Sequence, residues 1–155
     1  MKEKKNKTVM VSGGMDPIHF GHVRMIQEAA KYGDVIVVLN SDKWLFRKKG
    51  FVFMNYDQRA EIANAIKGVT VVSKVDDKDN TVCEAIERLK PDYFANGGDR
   101  GRTNTPEVNL CKEMGVELLW GIGGNSKVAS SSDLASKARN SQPHPPKAKR
   151  KVSKK

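Results

Sequence analysis

At 155 residues the chain is long enough for one domain with a real core, and its 30% charged and 38% apolar residues exclude a low-complexity or membrane-embedded protein. Of the net charge of +10, residues 1–7 carry +3 and residues 140–155 carry +6, which leaves +1 for residues 8–139. The body is nearly neutral, so a high isoelectric point is no argument that the fold itself binds nucleic acid.

Cys83 and Cys111 have no C-x-x-C spacing and no histidine at metal distance. Reduced thiols on helices are the expectation. The charged residues 1–7 precede no secretory h-region, so a soluble, cytoplasmic protein is expected.

Val9-Met10-Val11 is an apolar run suited to one buried strand, and it breaks at Ser12, Gly13, Gly14, Met15, Asp16 and Pro17. After Gly21, the positions Val23, Ile26 and Ala30 recur at helical spacing. Strand, glycine turn and helix set backbone N–H groups to meet an anion at the helix start. His19 and His22 lie three residues apart at that start, so both can face a phosphate.

Gly14-Met15-Asp16-Pro17-Ile18-His19-Phe20-Gly21-His22 resembles the G-x-F-D-x-x-H-x-G-H signature of the cytidylyltransferase-like nucleotidyltransferases, with Met15 in place of the usual Phe. That family shares a Rossmann-like fold with the class I aminoacyl-tRNA synthetases. The resemblance implies an α/β three-layer sandwich around a five-stranded, mostly parallel sheet.

Gly33 signals the end of the first helix, and residues 35–39 form a continuously apolar strand, as in a sheet buried on both faces. The resulting βαβ unit brings Ser12–His22 and Asn40-Ser41-Asp42 to one sheet edge, where ligands of such sheets bind. Residues 43–55 read as a loop able to gate the site, with Arg47, Lys48 and Lys49 among Trp44, Phe46, Phe51 and Phe53. In the resembling family a basic loop here reaches the phosphates.

Residues 56–66 read as an amphipathic helix with Ile62, Ala63 and Ile66 inward. Its opening Asp57-Gln58-Arg59 resembles the Glu-Gln-Arg or Glu-His-Arg of sugar- and glycerol-phosphate nucleotidyltransferases. That match makes Arg59, with Asp42, an acceptor contact. Residues 69–73 are a third strand, and the acidic run Asp76-Asp77-Lys78-Asp79-Asn80, lacking an EF-hand pattern, reads as a solvated loop. A helix over 81–89, a strand over 93–95, a helix opened by Thr105-Pro106 and a strand over 116–120 complete the body.

Asn96-Gly97-Gly98-Asp99 resembles the K-G-G-D of heptose-phosphate adenylyltransferases and the M-G-D-D of glycerol-phosphate cytidylyltransferases. Lys127–Leu134 resembles the family's I-S-[ST]-[ST]-x-[IL] segment, with Val128 where glycine is common and Asn125 where the glycerol-phosphate enzymes carry Arg. The resemblance spans residues 8–139. Beyond it, residues 140–155 are polar, Pro-rich and then basic, with no apolar face to offset ordering entropy, so they read as a disordered tail able to touch RNA or to act as a solubiliser.

The resemblance implies transfer of a nucleoside monophosphate from CTP or ATP to a phosphorylated small acceptor, with release of pyrophosphate. His19, His22, Lys48 and Lys49 would be catalytic. Ser12, Gly13, Gly14, Met15, Asp16, Gly21, Asn96, Gly98, Asp99, Ser130, Ser131 and Ser132 would hold the nucleotide. Mg²⁺ would ride mainly on the triphosphate and water, without a protein-built metal site. CTP with a glycerol- or sugar-phosphate acceptor is placed ahead of ATP. Pro17-Ile18-His19 also resembles the branch that adenylates nicotinate mononucleotide, and a non-catalytic nucleotide binder with an RNA-docking tail is the reading from another class. A homodimer is expected from the family's habit.

Overall fold

The computed structural model describes residues 6–97 and 105–123. In chain order it has β1 (Thr8–Gly13), α1 (Phe20–Ala29), β2 (Asp34–Leu39), α2 (Asp42–Lys49), α3 (Tyr56–Asn64), β3 (Val69–Ser73), α4 (Cys83–Leu89), β4 (Tyr93–Ala95), α5 (Pro106–Met114) and β5 (Glu117–Leu119). The strands lie in the order β3-β2-β1-β4-β5, and every pairing is parallel.

Alternation along β1 and β2 divides the core in two. Val9, Val11, Val35, Val37 and Leu39 face a layer that includes Ile26 and Ala29 of α1 and Ala63 of α3. Met10, Ile36 and Val38 face Ala85 and Ile86 of α4 and Cys111 of α5. The result is the expected three-layer sandwich. Each fully buried Val or Leu in the central strands contributes about 1.5–3 kcal/mol. Burial raises the thiol of Cys83 and pushes that of Cys111 up to about 11, so both free cysteines stay protonated.

In a parallel sheet all carboxyl ends share one edge. Gly13 pairs with Leu39, and the N–H of Asn40 donates to the Gly13 carbonyl at 3.1 Å, so the β1–α1 and β2–α2 turns lie side by side.

Three local expectations are corrected. Residues 42–49 are helix rather than loop. Ser41 caps α2 by accepting from the Trp44 N–H at 3.0 Å, Asp42 stands in its first turn and Arg47, Lys48 and Lys49 in its last. Those charges oppose the helix macrodipole, and Gly50, at φ +83°, closes the helix in the left-handed region. On α3 Ala63 is buried as expected, but Arg59 is buried beside it and Ile62 is exposed. Asp77, placed in a solvated loop by sequence, is buried, because Asn40 and Ser41 donate to its carboxylate. Among the described residues no helix is long and apolar enough to cross a membrane.

Candidate active site

The β1–α1 turn is built around Asp16. Its carboxylate is buried and accepts from the backbone N–H groups of Phe53 at 2.8 Å and Met54 at 2.6 Å, and from Lys49 Nζ at 2.9 Å. Lys49 Nζ also donates to the Asp16 carbonyl at 2.7 Å. Asp16 therefore ties the 50–55 segment to the turn and has little left for a nucleotide. The Asp16–Pro17 peptide is cis. Met15 sits at φ +53° with its side chain in the core, so what it offers a ligand is backbone. Gly14 permits a close approach: a Cβ there would stand 2.7 Å from Leu45 Cδ2 and 3.3 Å from Trp44 Cζ3, so both side chains would have to shift.

The two histidines form the N-cap of α1. His19 Nδ1 accepts from the Gly21 N–H, and His22 Nδ1 accepts from the His19 N–H, each at 3.1 Å. This is a capping box made from imidazoles. The rings stack with centroids 3.9 Å apart and planes inclined by 28°. Burial holds the His22 imidazole down at about 4, helped by the neighbouring His19 ring, and burial also lowers His19. With Nδ1 accepting on neutral rings, the proton belongs on Nε2 of both. His19 Nε2 is buried and has no partner among the described residues. An orphaned buried donor at a helix N-terminus is a ready contact for an anionic oxygen.

The basic cluster separates into three roles. Lys49 is spent on Asp16. Arg47 turns onto the 77–80 loop, donating to the Asp77 carbonyl at 2.8 Å and to Asn80 Oδ1 at 3.0 and 3.2 Å. Lys48 is exposed, with its ammonium 4.9 Å from the Trp44 ring centroid, and is the cation of the three that fits a phosphate contact. Lys49, expected as catalytic, is placed here as a clamp on Asp16.

Arg59 likewise turns inward. The residue is fully buried and donates to the carbonyls of Met54 at 2.9 Å and of Gly14 and Asn40 at 2.8 Å each, and it pairs with Asp42 Oδ1 at 2.7 Å. Four of its five N–H groups are committed inside the protein, so it fastens α3 to both turns. Asp42 keeps its carboxylate about half exposed. Asn96 uses its backbone to stitch β4 to the segment after β5, donating to the Leu119 carbonyl and accepting from the Ile122 N–H, while its amide leans on the Leu119 and Phe94 carbonyls. Ser12, Gly13 and Gly21 lie at the carboxyl edge as expected, half-buried. Gly98, Asp99, Ser130, Ser131 and Ser132 lie outside the described residues, as do Asn125, Lys127, Val128 and the basic tail.

A family model described as cytidylyltransferase-like matches residues 10–135. The chain belongs to the cytidylyltransferase-like family. It is 34% identical over 136 residues to the bifunctional protein HldE of Syntrophotalea carbinolica, covering 81% of this chain and 26% of that one. It is 36% identical over 94 residues to the FAD synthase of Ferroglobus placidus, covering 61% of this chain and 60% of that one. The chain thus spans about a quarter of the length of its HldE relative. Among solved structures, the lipopolysaccharide core biosynthesis protein of Thermoplasma volcanium shares the fold, with a TM-score of 0.62, 22% identity and coverage of 81% of this chain and 100% of that one. The chain thereby has the Rossmann-like α/β fold of its family.

Proposed function

We propose that the chain is an adenylyltransferase that moves AMP from ATP to a phosphorylated small acceptor of the sugar-phosphate class. The observation that carries this reading is the unpartnered, buried Nε2 of His19 beside the stacked His22 at the start of α1. An acceptor phosphate oxygen attacks the α-phosphorus, the bond from that phosphorus to the bridging oxygen breaks, and pyrophosphate leaves with the electron pair. Both histidines donate Nε2–H to the phosphate oxygens while the helix N-terminus and Lys48 offset the growing charge. Such a step asks the protein for position and charge more than for covalent chemistry.

ATP moves ahead of CTP on two grounds. FAD synthase, by its name, makes a product that contains an adenylate, and Asn96-Gly97-Gly98-Asp99 resembles the adenylyltransferase K-G-G-D. The HldE relatives recur across 81% of the chain and support the sugar-phosphate class through the same resemblance. As for Mg²⁺, no three His, Cys, Asp or Glu converge among the described residues, and Asp16 is already engaged. The ion would accordingly be carried by the triphosphate oxygens and neutralise them.

Thermal shift with Mg²⁺ and ATP, CTP, GTP or UTP tests the donor, and pyrophosphate release across sugar, glycerol and nucleoside phosphates tests the acceptor. Stabilisation by ATP, and single turnover that is lost in His22→Ala, is the expected result. Stabilisation by CTP alone would overturn the donor, and no response to any nucleotide would overturn the enzyme reading in favour of a binding protein.

A further inference from the structure

Asp77 belongs to no motif, yet it is among the few buried charged residues described, at 4% exposure. Its Oδ2 accepts from Asn40 Nδ2 at 3.1 Å and from the Ser41 N–H at 2.8 Å, and its Oδ1 accepts from the Ser41 hydroxyl at 2.7 Å. Its own carbonyl accepts from Arg47, which also grips Asn80. Ser41 caps the start of α2 and Arg47 lies in its last turn. The 77–80 loop therefore holds α2 at both ends.

On its opposite side α2 bears on the phosphate turn. Leu45 and Trp44 crowd the place of a Cβ at Gly14, and Lys49 binds Asp16. Lys48 rides on the same helix, over Trp44. Asn96, one of the expected nucleotide contacts, follows β4 on one side of β1, whereas β2, α2 and β3 lie on the other. An in-line attack needs the acceptor to come from a different direction than the leaving pyrophosphate, which leaves the α2 flank for the acceptor.

We infer that Asp77 and Arg47 are positioning residues for the acceptor. They act through α2 on Lys48, and the inference rests on the transfer reading above. A carboxylate suits the task because it accepts from three donors at once, and the second carboxylate oxygen cannot be replaced by an amide without turning an acceptor into a donor.

The test is steady-state transfer by the full chain, with ATP and the acceptor found in the screen varied in turn, for wild type, Asp77→Asn and Arg47→Lys. Asp77→Asn is expected to raise the acceptor KM about tenfold or more, with the KM and thermal shift for ATP held within about twofold. Arg47→Lys, on an exposed side chain, is expected to act in the same direction but less, and it keeps the inference testable if Asp77→Asn folds poorly. An unchanged acceptor KM in both variants, or equal losses for ATP and acceptor, overturns the inference. If wild type transfers to no acceptor, the transfer reading fails on its own, and amide hydrogen exchange decides the coupling. Loss of protection in Asp77→Asn that spreads through 41–49 supports it, and loss confined to 74–82 refutes it.

Discussion

Replacing Arg59 with methionine keeps the apolar bulk of the side chain and removes its guanidinium. Three carbonyls, those of Gly14, Asn40 and Met54, then lose the donors that the structure gives them. A buried acceptor left without a partner costs about 1–3 kcal/mol, and breaking a buried charged contact costs about 3–5 kcal/mol in all. Asp42 adds little, because its carboxylate is 44% exposed and regains water. A loss of about 4 kcal/mol is therefore expected, which at a urea m-value of about 2 kcal/mol/M lowers the unfolding midpoint by about 2 M. Arg59→Lys keeps the charge but not the fork, and about half the loss is expected. Urea unfolding followed by circular dichroism measures both. A midpoint shift below about 0.5 M, together with a raised acceptor KM, would refute the clamp and restore Arg59 to the acceptor.

Lys48 and Lys49 are adjacent but should separate cleanly. Lys49→Met leaves the Asp16 carboxylate buried with two backbone donors and is expected to cost about 2–3 kcal/mol, whereas Lys48→Met should change stability by less than about 0.5 kcal/mol while slowing pyrophosphate release. Equal stability losses in denaturant melts would contradict this division. Gly14→Ala forces Leu45 and Trp44 away from the turn and is expected to cost about 1–3 kcal/mol, with transfer reduced further than the stability loss explains; a wild-type melting temperature and rate would show that α2 yields freely. For His22, the folded pKa of about 4 lies below the ordinary 6.5, so between these values the unfolded chain binds the extra proton. Its contribution is fully present above pH 6.5 and is lost as pH falls toward 4, by about 3 kcal/mol. His22→Gln, which can still accept from the His19 N–H, should flatten that slope in melts from pH 7 to 4.5, and an unaltered slope would place the titration elsewhere.

The sheet was legible because its strands are apolar runs bounded by glycine, proline and asparagine, and β3 and β4 match their expected limits. The histidine cap was legible as a motif, though not as a pair of acceptors. What escaped were contacts in which a polar side chain is the core. Arg59 looks like any charged residue at the start of a helix, and nothing local says that three carbonyls converge on it. Among the acids of 76–79, only the fold selects Asp77 for burial. Helix α2 escaped because Leu45 is its one buried residue, leaving no apolar stripe, although Ser41 and Gly50 carried usable start and stop signals.

The imidazole cap of α1 also fixes how protons are counted when an anion arrives. With Nδ1 of each ring occupied by a backbone N–H, a phosphate meets two donors that are already neutral and already aimed. Near pH 8 the site can take up the ligand without exchanging a proton with solvent. Calorimetric heats of nucleotide binding should therefore agree between buffers of unlike ionisation enthalpy.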